Sequence, residues 1–140
     1  MKKLLLIIII ATATLPVMAQ SALNIEGIFS RYGKEKGCKM VEMHGCTIKG
    51  YHLAEYKSLE FTTHRTEIEQ LLNKDRENAK TIQEVIDNGV LLGGYYIMPQ
   101  AKKSLNRYIL YRRGSGKTPS VIVYMVGNIR KEELMKITKK

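Results

Sequence analysis

The chain has 140 residues, of which 44% are hydrophobic and 26% are charged, and its formal net charge is +10 at pH 7. This length leaves room for one domain with a modest core and excludes a two-domain protein. The excess charge lies in residues 99–140, which contain eleven Lys and Arg against two Glu, and in an exported protein it favours an anionic lipid or an acidic glycan over nucleic acid as the partner.

The first 19 residues have the three parts of a secretory signal peptide. Two lysines open the chain, an apolar run covers residues 4–13, and a small-residue cleavage signal ends at Ala19. The apolar run falls short of the roughly 20 residues that a transmembrane helix needs. We therefore predict export to the periplasm or the extracellular space. After cleavage, a single domain over residues 20–140 with no transmembrane span is expected.

The first half of that domain has the pattern of a helix followed by short strands. Apolar residues recur at helical spacing over Asn24–Lys36, which predicts the first helix. Cys38–Met43 and Thr47–Leu53 are short apolar stretches with partial alternation, and they predict two strands joined by a tight turn at His44-Gly45. Ser58–Thr62 predicts a further strand.

A long helix and three strands are predicted in the second half. The apolar positions of His64–Asn88 line one side of a helix, which Asn88-Gly89 ends. Three apolar stretches then predict strands, and these are Val90–Met98, Arg107–Arg113 and Ser120–Val126. The first of them stops at Pro99, and the segment GSGKTP joins the second and third as a hairpin. Asn128 is expected to cap a final helix over Ile129–Thr138.

This order of elements predicts the fold class. Strands linked by hairpins, with helices grouped around them, favour an α+β fold. We expect a single domain with a mainly antiparallel sheet and with the helices packed on one face.

Cys38 and Cys46 are a possible disulfide, and the sequence leaves this open. Export favours oxidation of the two thiols. A regular hairpin turning at His44-Gly45 would instead place them about 16 Å apart along the sheet, whereas a disulfide needs Cα atoms within about 7 Å. A metal site is not expected, because Cys38, Met40 and His44 spread too far along a strand to meet at one ion. No cofactor is predicted.

The turn that joins the last two strands is a candidate anion-binding segment. Its letters RRGSGKTP resemble part of a phosphate-binding loop, but Tyr111 stands where that loop needs its first glycine, and a strand follows where it needs a helix. Arg112, Arg113 and Lys117 remain possible anion ligands, with a solvated turn as the alternative.

Five tyrosines on the late strands are a second candidate surface. They are Tyr95, Tyr96, Tyr108, Tyr111 and Tyr124. A ladder of tyrosine rings could form a platform for a glycan or a peptide. Tyrosine is also common on half-buried sheet surfaces for its strand propensity alone.

The sequence contains no catalytic signature. Neither a GxSxG motif nor a paired histidine spacing such as HExxH is present, so no catalytic residue is assigned. The enzymatic alternative is a hydrolase that would use His52 or His64 with nearby carboxylates.

The stretches IFSRYGKEKG, YKSLEF and SVIVYMVGNIRKEELMKI, placed after a signal peptide, resemble a family of small exported bacterial proteins of unknown function. The resemblance covers most of residues 25–138. It implies no activity, cofactor or catalytic residue, and it suggests a role in the response of the cell envelope to stress.

The leading interpretation is a non-catalytic exported domain. It would bind an anionic envelope component, either a lipid or a glycan, through its basic last third and its tyrosine-bearing strands. Besides the hydrolase, a further alternative to this interpretation is an assembly subunit that acts beside an envelope protein.

Overall fold

The computed structural model of the chain describes residues 22–102 and 105–138, so the predicted signal peptide lies outside the described residues. These residues form three helices and six strands. In chain order they are α1 (Glu26–Tyr32), β1 (Cys38–Ile48), β2 (Tyr51–Phe61), α2 (Arg65–Arg76), β3 (Lys80–Asp87), β4 (Val90–Lys102), β5 (Leu105–Arg112), β6 (Ser120–Gly127) and α3 (Lys131–Thr138).

The six strands form one sheet in the order β1-β2-β6-β5-β4-β3. Every neighbouring pair is antiparallel, which confirms the predicted α+β class with an antiparallel sheet. The last strand, β6, lies between β2 and β5 in the middle of the sheet. Helix α2 connects β2 to β3, which is an edge strand.

The prediction of one long helix over His64–Asn88 was wrong. Helix α2 ends at Arg76, and residues 80–87 form the edge strand β3. The β-branched residues Thr81, Ile82, Val85 and Ile86 favour a strand. Asn88 and Gly89 have φ angles of 52° and 77°, which suit the two-residue turn of a hairpin rather than a helix end.

The predicted turn at His44-Gly45 was also wrong. Strand β1 runs unbroken through these residues to Ile48, and the hairpin turns at Lys49-Gly50 instead. Lys49 and Gly50 both have positive φ angles, 49° and 85°, as the favoured hairpin turn requires. Gly45 instead has a left-handed φ of 58° inside β1, opposite a register shift of β2 against β6 between Leu53 and Glu55.

Two other predicted boundaries moved. Strand β4 continues past Pro99 to Lys102, with a register shift against β5 after Met98; an irregularity of this kind accommodates a residue that has no N–H to donate. Helix α3 begins at Lys131, and the Arg130 backbone N–H donates to the Glu133 carboxylate at 3.0 Å. Arg130 rather than Asn128 is therefore the residue at which that helix is capped.

Helices α1 and α2 pack on the same face of the sheet, which we call the helix-covered face. Ile28, Phe29, Ile68 and Leu72 from the two helices form one buried cluster. The strand residues of that cluster are Leu59, Phe61, Tyr96, Met98, Ile109, Tyr111, Ile122, Tyr124 and Val126. The four predicted apolar positions of α1 (Ile25, Ile28, Phe29 and Tyr32) are all buried there.

Helix α3 packs on the opposite face, which we call the open face. Leu134 and Ile129 form a second buried cluster with Leu53, Tyr108 and Met125. Tyr108 and Ile109 are neighbours on β5 and belong to different clusters, because successive strand residues point to opposite faces. The expectation that the helices pack on one face therefore applies to α1 and α2 and not to α3.

Two buried charged residues hold the helix-covered face together. The Asp75 carboxylate accepts hydrogen bonds at 2.9 Å from the backbone N–H groups of Asn24 and Ile25, which are unpaired donors at the start of α1. Arg107 is 2% exposed. Its Nε donates to the Pro99 carbonyl at 2.7 Å, and its Nη1 lies 3.8 Å from the Glu26 carboxylate.

Candidate functional site

The open face contains a pocket of about 470 Å³. Apolar side chains form most of its wall, including those of Tyr56, Tyr95, Leu110, Val123 and Met125. Leu110 and Met125 belong to the buried cluster of this face, and the other three pack against that cluster. Pockets of this size and apolar character bind small ligands. Because it lies on the open face, we call it the open-face pocket.

The pocket lies between the middle of the sheet and the tip of the β1–β2 hairpin. Ile48 and Lys49, at that tip, line it together with Arg112 and Val121 from the central strands. The irregular positions at Gly45 and between Leu53 and Glu55 lie between the tip and the regular part of the hairpin. Since a bulge bends a strand and increases its twist, these positions account for a tip that reaches over the sheet.

Arg112 places a positive charge in this apolar pocket. It lies opposite Val121 on β6, and Val121 lies opposite Glu60 on β2. Glu60 also lines the pocket, and two strand spacings of about 4.8 Å separate it from Arg112 across the sheet, which gives about 10 Å. None of the ion pairs among the described residues involves Arg112, so its guanidinium is available to an anion.

The three predicted anion ligands have different surroundings. Arg112 lines the open-face pocket, whereas the Nε of Arg113 lies 3.9 Å from the Glu69 carboxylate of α2. Lys117 is exposed in the turn between β5 and β6. Arg112 is the residue of the three that lines the open-face pocket.

The predicted tyrosine platform is not present on the described surface. Tyr96, Tyr108, Tyr111 and Tyr124 are each at most 2% exposed, and Tyr95 is the half-buried exception on the pocket wall. Burial, followed by the nearby Glu26 carboxylate, raises the pKa of Tyr124 to about 12. Burial also raises the pKa of Tyr96, Tyr108 and Tyr111.

On the helix-covered face, charged side chains form hydrogen bonds and ion pairs between secondary-structure elements. The Glu84 carboxylate on β3 accepts hydrogen bonds from the Tyr96 hydroxyl at 2.8 Å and from Arg76 Nε at 2.9 Å. Partial burial alone would raise the pKa of Glu84, but these two hydrogen bonds lower it. Tyr111 donates in the same way to Glu69, which also faces Arg113. The hydrogen bonds of Glu84 and of Glu69 therefore join α2 to the sheet.

Cys38 and Cys46 are free thiols. They lie on the same continuous strand, opposite Phe61 and Leu53 respectively. Eight residues of strand separate them by about 26 Å, well beyond the Cα distance of a disulfide. The possible Cys38–Cys46 disulfide is therefore incompatible with this fold.

The two histidines proposed for a hydrolase lie at opposite ends of β2. His52 is exposed on β2. His64 precedes α2, where its ring stacks on Tyr32 with centroids 4.5 Å apart. Its Nδ1 lies 3.0 Å from the Glu67 carboxylate, and its Nε2 contacts the Glu35 carboxylate. Both ring nitrogens are thus engaged by acidic groups, as in a structural ion pair.

The described part of the chain contains neither a metal-binding cluster nor a membrane-spanning helix. Across residues 22–102 and 105–138, no three or more His, Cys, Asp and Glu side chains are grouped so that they could hold a metal ion. Within the same residues, no helix has both the length and the apolar character needed to cross a membrane.

Sequence reasoning identified Arg112 but missed the apolar wall around it. Leu110, Val123 and Met125 belong to strands that are apolar on both faces. The sequence of such a strand does not show which of its apolar residues line a pocket and which are buried in the core. Tyr56 and Ile48 were missed because the β1–β2 hairpin was given the wrong turn. With the turn at Lys49-Gly50, β1 reaches Ile48 and β2 begins at Tyr51. Tyr56 and Ile48 are therefore both strand residues of the one sheet.

A model of a family of unknown function (DUF6108) matches residues 12–138 of the chain. No curated protein and no solved structure shows significant similarity to it.

Proposed function

The chain belongs to the family of unknown function DUF6108, and we propose that it is an exported, non-catalytic domain that binds an amphipathic anion in its open-face pocket. The observation that carries this proposal is the position of Arg112. Its charge has no ion-pair partner among the described residues and lies at an apolar pocket of about 470 Å³. The signal-peptide pattern of residues 1–19 supports export.

The two halves of the pocket suit the two halves of such a ligand. An alkyl chain placed against Leu110, Val123 and Met125 gains about 0.8 kcal/mol for each CH₂ group removed from water. The guanidinium of Arg112 can donate two parallel hydrogen bonds to a carboxylate or a phosphate. An acidic glycan has the charge but not the apolar chain, and it leaves the pocket wall unused.

The direct test is binding of decyl phosphate, a single-chain amphipathic anion, measured by calorimetry at low salt. We expect the wild-type chain to bind it, and Arg112→Gln to weaken binding by about tenfold or more, because a hydrogen bond to a charged group contributes about 1.5–3 kcal/mol. Raising the salt concentration should narrow the difference between the two proteins, since salt screens an exposed charge.

Arg65→Gln is the matched control, since Arg65 is also exposed but lies at the start of α2, away from the pocket. It should bind decyl phosphate as the wild type does. Decanol, which lacks the charge, should bind equally to all three proteins. The proposal fails if decyl phosphate does not bind, or if Arg112→Gln and Arg65→Gln bind it equally well. Binding of an acidic glycan in place of decyl phosphate would also overturn it.

A further inference from the structure

A second hollow, of about 370 Å³, lies beside the open-face pocket on the β3–β4–β5 side of the sheet. Val85, Leu92 and Arg113 line it, and Tyr95, Tyr111 and Arg112 line both hollows. Arg112 therefore stands at the boundary between two apolar spaces, with one on each side of its strand.

The floor of the second hollow is a gap in a row of side chains. Cross-strand pairing places Val85, Gly93 and Arg112 next to one another on β3, β4 and β5. A side chain at Gly93 would fill the space between its two neighbours. The position excludes one, because a Cβ atom there would lie 2.9 Å from the Tyr111 carbonyl oxygen. The close approach of β5 to β4 thus keeps the hollow open.

The apolar lining of this hollow is unusually exposed for this chain. Among the described residues, five large hydrophobic side chains are exposed, and four of them belong to the β3–β4 hairpin. These four are Val85, Ile86, Val90 and Leu92. Val85 is 48% exposed and Leu92 is 37% exposed, so a chain lying in the second hollow would remove apolar surface from water.

We propose that the ligand has two apolar chains joined at one anionic group, as in a diacyl lipid with a phosphate headgroup. One chain would occupy the open-face pocket, the other would lie over Gly93 against Val85 and Leu92, and the phosphate would bind Arg112. This inference rests on the proposed function. It adds the number of chains, which follows from the position of Arg112 between two apolar hollows; the second guanidinium at the second hollow, that of Arg113, is paired with Glu69.

The test compares dihexanoyl phosphatidate, a short two-chain phosphate that stays monomeric, with hexanoyl lysophosphatidate, which lacks one of its two chains. We expect the wild-type chain to bind the two-chain probe at least about tenfold more tightly, because tenfold needs only about 1.4 kcal/mol and each CH₂ group of the second chain that is buried contributes about 0.8 kcal/mol. Val85→Trp should fill the second hollow and remove this advantage, while leaving the affinity for hexanoyl lysophosphatidate within about twofold of wild type.

Val90→Trp is the matched control, because Val90 is a similarly exposed valine of the same hairpin (38% exposed) that lines neither hollow. It should keep the two-chain advantage. Equal affinity of the wild-type chain for the two probes would overturn the two-chain inference and leave the proposed function intact. Retention of the advantage in Val85→Trp would also overturn it. If neither probe binds, the proposed function itself is wrong.

Discussion

The two faces of the sheet use neighbouring residues for opposite purposes. On β4, Tyr96 is fully buried under α2 and hydrogen-bonded to Glu84, whereas Tyr95 lines the pocket of the open face. At the end of β5, Arg113 is paired with Glu69, whereas Arg112 lies at that pocket. Because side chains alternate across a strand, one residue step separates a structural role from a candidate binding role.

The largest expected effect comes from exchanging these tyrosines for alanine. Tyr96→Ala should destabilise the chain by about 3–5 kcal/mol, the usual cost of removing a buried aromatic side chain. It also removes the 2.8 Å hydrogen bond to Glu84. Urea denaturation followed by circular dichroism measures the loss as a lower midpoint.

Tyr95→Ala is the comparison variant on the other face. It should cost about 1 kcal/mol, as is typical of a half-buried substitution, and it should weaken binding of decyl phosphate. A loss of stability in Tyr95→Ala as large as that in Tyr96→Ala would contradict the division of roles between the two faces.

A smaller loss is expected where α1 is tied to α2. Asp75→Ala removes the acceptor of the Asn24 and Ile25 backbone N–H groups, and it should destabilise the chain by about 3 kcal/mol because it leaves these donors unpaired. Glu77→Ala, two residues on at an exposed position, is the matched control and should change the free energy of unfolding by less than about 0.5 kcal/mol. Denaturant melts that show similar losses for both variants would refute the assigned role of Asp75.

The smallest effect concerns pH and His64, which lies near the surface between α1 and α2. Partial desolvation would lower the pKa of His64, but the hydrogen bonds with Glu67 and Glu35 outweigh it, so that the pKa is raised above the ordinary value of 6.5. A raised folded pKa stabilises the chain fully below about pH 6.5, the value in the unfolded state, and this stabilisation disappears as pH rises through the folded value.

Thermal melting of the wild-type chain and of His64→Gln at about pH 6 and about pH 9 tests this direction. The advantage of the wild type over His64→Gln should be larger at the lower pH. The other ionisable groups are present in both proteins, so their contributions cancel in the difference. An advantage that is equal at both values, or larger at about pH 9, would show that the ion pairs of His64 do not act as described.

Sequence patterns located most elements and misassigned those for which two periodicities competed. Strands β5 and β6 were predicted within one or two residues of their observed bounds, because their apolar runs are continuous and bounded by turn residues. Residues 80–87 were misassigned because Ile82, Val85 and Ile86 also fit a helical stripe that continues from α2. The β-branched side chains of these residues and the hairpin turn at Asn88-Gly89 favour the strand that is observed.

The candidate site was predictable in its charge and not in its shape. Arg112 was identified from a basic turn, but its neighbour Arg113 was grouped with it, although Arg113 is paired with Glu69 of α2. The apolar wall depends on residues from β1, β2, β4, β5 and β6 that meet only through the order of the strands. Local patterns do not contain that order.

The sequence by itself determined the class of the fold, the helix α1, the late strands and the basic character of the last third, since these depend on local periodicity and composition. Tertiary structure alone decided that β6 lies between β2 and β5, that α3 packs on the other face from α1 and α2, and that Arg112 lies between two apolar hollows. The physical reason is that burying apolar surface stabilises contacts between residues whatever their separation along the chain.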